Sequence, residues 1–264
     1  MPHILGIDIG SAATKAVLLD REGRMITSAT VPLGTGTRGT ESVIRRLYQN
    51  SSVDSSDKIL TVATGYGRME YKKADFQLSE ITCHAKGVKY LIPGVRTIID
   101  IGGQDSKAIR VNENGAIQQF VMNDKCAAGT GRFLEVMSRV LEVDLPRLGE
   151  IDEQADKVAE ISSTCTVFAE SEVISRLSQG ERIPNIVAGI HQSVARRVAG
   201  LAMRVGLEEQ VVLTGGVAQN RGVVRALERE LKVRLVIPPN PQITGALGAA
   251  LAGLERCRRR KGNF

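Results

Sequence analysis

Two aspartates stand at equivalent points of two similar segments of the sequence. Asp8 lies in Ile7-Asp8-Ile9-Gly10, and Asp100 lies in Ile99-Asp100-Ile101-Gly102. A carboxylate at the end of a strand can hold a hydrated Mg²⁺ and orient an attacking water, while the glycine that follows lets backbone N–H groups approach phosphate oxygens. We therefore predict that Asp8 and Asp100 are catalytic, face each other across a nucleotide cleft and hold Mg²⁺ through water.

The residues around these aspartates offer further phosphate ligands. Lys15 brings a positive charge for terminal phosphates, Gln104 can position a water, and Ser106 adds a hydroxyl. A third turn, Thr214-Gly215-Gly216-Val217-Ala218-Gln219-Asn220, follows an apolar run and can admit an adenine or a ribose close to its backbone. The predicted nucleotide-binding residues are Ser11, Ala12, Ala13, Thr14, Lys15, Gly102, Gly103, Gln104, Gly215, Gly216, Gln219 and Gln242.

A single Asp-x-Gly is often only a break between a strand and a turn, but here the pattern is repeated. Shifting the sequence from Asp8 to Asp100 lays residues 7–25 on residues 99–117 without a gap. The identical pairs are Ile7/Ile99, Asp8/Asp100, Ile9/Ile101, Gly10/Gly102, Lys15/Lys107, Ala16/Ala108 and Gly23/Gly115. Each copy predicts two strands joined by a tight turn, so we expect an internal duplication.

The elements that must position these residues follow from hydrophobic spacing. We expect halves at 1–94 and 95–264, with the C-terminal helix packing back on the first half. The expected strands are Ile4–Gly10, Ile59–Ala63 and Val211–Thr214, and the expected helices lie around Ser42–Tyr48, after Gly131, at about Phe168–Leu177, at Ile186–Val205 and from about Thr244. A polar stretch, Asn50–Lys58, lies between the helix expected around Ser42–Tyr48 and the strand expected at Ile59–Ala63.

The four cysteines are Cys83, Cys126, Cys165 and Cys257, and they form no CxxC pair, zinc spacing or dense disulfide framework. Cys126 and Cys165 each stand just upstream of a predicted helix, whose N-terminal dipole favours a thiolate. Residue type alone favours two buried small hydrophobic side chains, and their separation in sequence argues neither for nor against a shared site. We expect Cys83 to be buried and Cys257 to be an exposed free thiol.

Composition excludes several function classes. The chain has 264 residues, 42% of them hydrophobic, which excludes a disordered protein. With five Phe, four Tyr and no Trp it lacks stacking platforms for single-stranded nucleic acid, so we expect no nucleic-acid partner. The net charge of +6 is concentrated in Arg256–Lys261, which we interpret as a frayed, solvated helix end. No signal segment or membrane span is expected, and we predict a cytoplasmic protein.

The three glycine turns together resemble the two phosphate motifs and the adenosine motif of the actin, Hsp70 and sugar-kinase superfamily. That resemblance implies an α/β fold with two similar halves around a nucleotide cleft. Longer stretches are similar to a narrower family, the activator ATPases of 2-hydroxyacyl-CoA dehydratases, within the BadF/BadG/BcrA/BcrD ATPases. Those stretches are Ala63–Arg68, Ile99–Lys107, Met122–Phe133, Thr164–Glu172 and Thr214–Asn220.

The narrower resemblance implies a function and its cofactors. Such activators bind ATP/ADP and Mg²⁺, and they couple ATP hydrolysis to delivery of a low-potential electron to a dehydratase. Two identical subunits share one [4Fe–4S] cluster, and the matching ligands here are Cys126 and Cys165. A cluster normally takes four thiolates, which a two-fold dimer of such chains would supply. Reduced ferredoxin or flavodoxin is the implied electron donor.

Other functions stay open at this stage. A subunit of an ATP-dependent benzoyl-CoA-type reductase shares the motifs, although such enzymes assemble non-identical activator subunits. A small-molecule kinase of the same fold would need a catalytic base and a sugar loop where this chain carries Cys126. A non-enzymatic, actin-like nucleotide sensor would show no ATPase that depends on a reduced cluster. The sequence leaves open which 2-hydroxyacyl-CoA the partner enzyme dehydrates.

Overall fold

The computed structural model describes residues 2–51, 53, 57, 59–162 and 165–261, and it describes residues 260 and 261 by their backbone alone. Most of the polar stretch before residue 59, together with Ser163 and Thr164, therefore lies outside the described residues. The chain divides into two compact units. The first comprises Met1–Val95, Val111–Ile117 and Pro238–Phe264, and the second comprises Arg96–Arg110 and Gln118–Ile237.

Each unit is built around a five-stranded sheet. The strands are β1 (His3–Ile9), β2 (Thr14–Leu19), β3 (Met25–Val31), β4 (Ile59–Thr64), β5 (Phe76–Gln77), β6 (Thr97–Ile101), β7 (Ser106–Val111), β8 (Ile117–Asn123), β9 (Val211–Thr214) and β10 (Leu235–Val236). The helices are α1 (Gly39–Gln49), α2 (Glu80–Leu91), α3 (Gly131–Val140), α4 (Leu148–Ile151), α5 (Thr166–Ser178), α6 (Ile183–Arg204), α7 (Arg221–Leu231) and α8 (Thr244–Lys261). Short 3-10 helices cover Tyr66–Met69, Leu145–Arg147, Asp152–Gln154 and Gly216–Gln219.

The two sheets have the same connectivity. The first has the order β3-β2-β1-β4-β5, and the second, taken from its other edge, has the order β8-β7-β6-β9-β10. Each central strand, β1 or β6, pairs antiparallel with the next strand of the chain and parallel with β4 or β9. The predicted duplicated α/β fold is confirmed, and the expected hairpins are its β1–β2 and β6–β7 pairs.

The core of the second unit forms around α6. Ile186, Ile190, Val194 and Val198 recur every four residues and are buried, as the spacing of this run predicts for one helix face. Central strand β6 adds Ile99 and Ile101, both fully buried, to the same cluster. These layers fix the end of β6, where Asp100 stands, against a packed helix layer.

Helix α8 packs against α2 and β1 inside the first unit. The contact depends on glycine: a Cβ on Gly248 would overlap the Cys83 carbonyl oxygen and lie 2.6 Å from its carbon. Cys83 is fully buried, as expected, but Cys257 is only half-exposed because it packs on the apolar cluster along α8. The expectation of an exposed Cys257 is therefore wrong.

Helix α8 includes the basic C-terminal segment as far as Lys261. The Arg256 guanidinium lies 3.8 Å from the centre of the Phe76 ring, and Arg258 donates a hydrogen bond of 2.9 Å to the Glu22 carbonyl oxygen. These two cations therefore anchor the end of α8 to its own unit.

Candidate functional site

In the first unit, the turn between β1 and β2 carries the first predicted phosphate motif. Asp8, the last residue but one of β1, has a buried side chain, and its cross-strand partner Lys15 brings Nζ to 3.3 Å from Asp8 Oδ2. The Gly10 N–H donates to the Ala13 carbonyl oxygen, which closes the turn. Lys15 keeps 17% of its side chain exposed. Its charge is therefore open to an anion at this turn while it also balances Asp8.

Thr14 plays a different part from the one its hydroxyl suggests. The side chain is fully buried, and its Oγ1 donates a 2.6 Å hydrogen bond to the Leu33 carbonyl oxygen. The hydroxyl proton is thus already used to hold β2 to the segment after β3. A role for Thr14 in nucleotide binding stays a prediction. The other predicted contacts of this turn, Ser11, Ala12 and Ala13, are half-buried.

In the second unit, Asp100 lies in an almost closed polar cluster. Lys107 Nζ is 3.3 Å from Asp100 Oδ2 and also pairs with Asp105, and the Thr214 hydroxyl donates to Asp100 Oδ1 at 2.8 Å. The residue itself is 3% exposed. Lys107 and Thr214 were not among the predicted site residues. The signal was available, because the repeat aligns Lys107 with Lys15.

The turn that follows β6 differs in exposure along its length. Gly102 and Gly103 are half-buried, and Gln104 is exposed, as a group that contacts a ligand or water must be. Ser106 is fully buried, and its Oγ has no hydrogen-bond partner among the described residues. A buried hydroxyl without a hydrogen bond costs free energy. The Ser106 hydroxyl, just after this turn, can therefore still donate or accept a hydrogen bond.

The duplication extends to the glycine turns after β4 and β9, which the sequence comparison did not align. Thr64 is in register with Asp8, and Thr214 is in register with Asp100. The next residues, Gly65 and Gly215, have φ/ψ of 88°/−179° and 87°/177°, a conformation that is essentially restricted to glycine. A short 3-10 helix follows each of them. The shared Thr-Gly after an apolar strand was the sequence signal.

The remaining predicted nucleotide contacts fall at the ends of elements. Gly216 and Gln219 begin and end the 3-10 helix after β9, and Gln219 is exposed. Gln242 lies in the other unit, in the segment just before α8. Gly216 and Gln219 are thus at the ends of a helix, where backbone groups are available to a ligand, and Gln242 lies in a turn.

The two cysteines with motif context lie at helix starts of the second unit. Cys165 is exposed and occupies the N-cap position of α5 without capping it through its side chain. Cys126 is half-buried in the loop before α3, where Asn123 Nδ2 donates to the Cys126 carbonyl oxygen at 2.7 Å. Both thiols are free, and α3 packs against α5. The alternative of two buried hydrophobic side chains is therefore wrong for Cys165.

These residues fit half of a four-thiolate cluster site. Nowhere in the described part of the chain do three His, Cys, Asp or Glu side chains converge as metal ligands. The exposed Cys165 can instead share a cluster with a second chain. Beside it, Thr166 Oγ1 is buried with no hydrogen-bond partner among the described residues, and Val167 and Phe168 are 66% and 67% exposed. The exposed thiol and the apolar rim beside it suit a group shared with a second chain.

A direct connection joins the second phosphate turn to the Cys126 loop. The first backbone N–H groups of α3, on Gly131 and Arg132, donate to the carbonyl oxygens of Gly102 and Gly103 at 2.9 and 2.7 Å. The free N–H groups of a helix start are thus satisfied by the turn itself. Any displacement of Gly102 and Gly103 is therefore transmitted to the start of α3.

Cys83 has the opposite environment. Burial raises the pKa of its thiol to about 11, so the group stays neutral at physiological pH. A neutral, fully buried thiol is a poor metal ligand, which argues against Cys83 as a cluster ligand.

The chain is similar along nearly its whole length to known dehydratase activators. No helix among the described residues has the length and apolar character needed to span a bilayer. The chain is 56% identical to the activator of lactoyl-CoA dehydratase from Anaerotignum propionicum, over 98% of this chain and 100% of that protein. The crystal structure of the activator of the 2-hydroxyisocaproyl-CoA dehydratase from Clostridium difficile, with bound ADPNP, matches with a TM-score of 0.95 at 50% identity. That match covers 99% of this chain and 98% of the other.

More distant similarity concerns the fold alone. A glucokinase from Streptomyces griseus in complex with glucose and AMPPNP superposes with a TM-score of 0.56 at 12% identity, over 95% of this chain and 98% of the other. The model of the BadF/BadG/BcrA/BcrD ATPase family matches residues 5–253. Fold, full-length similarity and family match agree, and the chain therefore belongs to the BadF/BadG/BcrA/BcrD ATPase family.

Proposed function

We propose that this protein is an ATP-hydrolysing activator of a 2-hydroxyacyl-CoA dehydratase and that it delivers low-potential electrons to that enzyme. The observation that carries the proposal is full-length similarity to dehydratase activators in a chain whose Cys165 is exposed at a helix start. The aspartate and glycine turns supply the ATPase part of the function, and the two cysteines supply the redox part.

The ATPase part assigns a task to each turn. The backbone N–H groups after Asp8 and Asp100 bind phosphate oxygens, and the turn at Gly215 and Gly216 receives the adenosine. An ammonium group lies 3.3 Å from each carboxylate. Because that charge already balances the carboxylate, we assign Asp8 and Asp100 to water molecules of a hydrated Mg²⁺ rather than to the ion itself. Gln104 orients the attacking water.

The redox part rests on Cys126 and Cys165. Two identical chains contribute both residues each, which completes four thiolate ligands. A [4Fe–4S] cluster bound there would supply one-electron chemistry, with reduced ferredoxin or flavodoxin as donor. Helix α5 begins directly after Cys165, so the positive end of its dipole stabilises the negative charge of the thiolates.

The coupling between the two parts follows from α3. Its first N–H groups are bonded to Gly102 and Gly103, and the Cys126 loop leads into the same helix end. When phosphate binding or hydrolysis changes the position of this turn, α3 and the adjoining Cys126 loop change with it. Helix α5, which packs on α3, extends the same connection to Cys165.

Anaerobic purification of the full chain tests the proposal. We expect a brown homodimer with about four iron and four sulfide ions per two chains, and ATPase activity. Cys165→Ser should abolish the iron content, whereas Cys257→Ser, which changes a cysteine on α8, should keep it. Unchanged iron content in the Cys165→Ser dimer would contradict the cluster assignment.

Reconstitution separates the neighbouring functions. The protein with ATP and a reduced donor should activate a 2-hydroxyacyl-CoA dehydratase. Assembly only with a non-identical activator subunit would favour a benzoyl-CoA-type reductase instead. Phosphorylation of a metabolite by the iron-free protein would favour a small-molecule kinase.

A further inference from the structure

A buried chain of hydrogen bonds leads to the first turn of α7. His191, on α6, is fully buried, with Nδ1 2.9 Å from Asp152 Oδ2 and Nε2 3.4 Å from Asn220 Nδ2. Asn220 Oδ1 accepts a 3.0 Å hydrogen bond from the Val223 N–H and thereby caps α7. Asn220 also directly follows the turn and 3-10 helix that end at Gln219.

The hydrogen bonds assign the tautomer of the histidine ring. Because Asn220 uses Oδ1 as the cap, its Nδ2 faces His191, and an amide NH₂ group can only donate. His191 Nε2 therefore accepts, and Nδ1 carries the proton that it donates to Asp152. Burial acts to raise the pKa of Asp152, but its interactions with His191 and, after them, with Arg225 outweigh burial and lower that pKa. The carboxylate stays charged and fixes the ring.

Close packing holds the ring against α7. A Cβ on Gly222 would overlap the His191 ring and lie 2.7 Å from Asp152 Oδ2, so only glycine fits there. Arg225 donates to Asp152 and, at 2.9 Å, to the Gly149 carbonyl oxygen. The start of α7 is thus tied both to α6 and to the segment around α4.

We propose that His191 is a positioning residue for the nucleotide: through Asn220 it fixes the backbone of Gly215–Gln219 in the conformation that receives the adenosine. The inference rests on the proposed binding of ATP at that turn. Asp152 orients the ring, and the ring orients the Asn220 amide. The amide holds the junction between the adenosine turn and α7. None of these three side chains needs to contact the nucleotide.

Two substitutions at His191 each keep one of its two hydrogen bonds and remove the other. His191→Gln keeps an acceptor near the Nε2 position, facing Asn220, whereas His191→Asn keeps a donor near the Nδ1 position, facing Asp152. We expect the dissociation constant of Mg·ADP, measured by calorimetry on the full chain, to rise about five-fold in His191→Asn, as for one lost hydrogen bond. His191→Gln should bind as wild type does. The kcat of ATP hydrolysis at saturating ATP should change less than about two-fold in both, because the phosphate turns are intact.

A neighbouring residue provides the control. Gln192 also joins α6 to α7, through an exposed 2.7 Å hydrogen bond from its Nε2 to Glu230 Oε2. Gln192→Ala should leave both ADP affinity and kcat unchanged. If His191→Asn does not fold, Asn220→Ser tests the same contact from the other side, since serine keeps the cap but is too short to reach His191.

The outcomes separate this inference from the proposed function. A five-fold weaker ADP affinity in His191→Asn or Asn220→Ser, with recovery in His191→Gln, supports the positioning role. Two results would overturn the positioning role: wild-type ADP affinity in the folded His191→Asn protein, or equal losses of ADP affinity in both His191 variants. Either result would show that the histidine only packs against its neighbours. If the wild-type protein itself neither binds ADP nor hydrolyses ATP, the proposed function fails, and the inference fails with it.

Discussion

Gly215 offers the sharpest test of how the backbone makes the proposed adenosine site. In Gly215→Ala, a residue with a side chain must adopt φ 87° and ψ 177°. It also puts a Cβ 2.6 Å from the Ile101 carbonyl carbon and 2.9 Å from the Ile101 nitrogen, in the central strand of the second unit. Both neighbours are backbone atoms, so no side chain can rotate away.

The expected magnitude follows from these two terms. The conformation costs about 1–3 kcal/mol for a residue with a side chain. Overlap that forces a backbone shift costs about 1–3 kcal/mol more, so Gly215→Ala should lower the free energy of unfolding by about 2–6 kcal/mol. Gly180 is the matched control in the same unit: its φ is 78°, but a Cβ there meets no atom within 4 Å. Gly180→Ala should therefore lose only about 1–2 kcal/mol.

Urea unfolding and calorimetric titration with Mg·ADP measure the two consequences. Gly215→Ala should unfold at clearly lower urea than Gly180→Ala. It should also bind ADP more than about ten-fold more weakly, because separating the turn from β6 displaces Gly216 and the 3-10 helix after it. Gly180→Ala should keep wild-type affinity. Equal unfolding midpoints together with equal ADP affinity would refute the reasoning about both the strain and the site.

Three further predictions concern thiols and helix packing. In the cluster-free, folded protein, iodoacetamide should alkylate Cys165 rapidly and Cys83 only after unfolding, as peptide masses will show; equal labelling would contradict the burial. Because burial raises the Cys83 pKa from 9.0 to about 11, the folded state keeps its proton longer than the unfolded state. Stability should therefore fall by about 3 kcal/mol as pH rises through that window, and urea titrations of Cys83→Ala should lack that loss. Gly248→Ala should lower the unfolding free energy by about 1–3 kcal/mol through overlap with Cys83, whereas Gly200→Ala, at an open helical site, should raise it by about 0.5–1 kcal/mol.

Much of the fold is predictable because its signals are local. The repeat of Asp8 at Asp100 gives both central hairpins, and the three-to-four-residue spacing in α6 gives that helix within a few residues. Helix α2 was missed because glycine and β-branched residues weaken its helical pattern, and its formation depends on packing against α8. Helix α7 was also missed, although Val223, Leu227 and Leu231 lie on one buried face.

The residue types of the candidate site could be predicted from the sequence, but the contacts between these residues could not. The cysteines could be singled out from motif context, and the turns from their glycines. Register decides the rest: Lys107 reaches Asp100 only because β6 and β7 pair at those positions, and Thr214 reaches it from β9. Register over long sequence separations is set by tertiary packing, which a single sequence does not display.

The differences between the two units indicate where the specific function was added. Both units keep the Asp–Lys pair, the Thr in register with the aspartate and the glycine turn that follows. Among the described residues, the second unit has α3 to α6 between its third and fourth strands where the first unit has α1, and the segment that holds these helices carries Cys126, Cys165 and His191. This segment bonds to the phosphate turn through Gly131 and, through His191, to Asn220, which follows the adenosine turn. One segment thus connects the proposed redox ligands to both glycine turns of its own unit, which is the arrangement that coupling ATP hydrolysis to electron delivery requires.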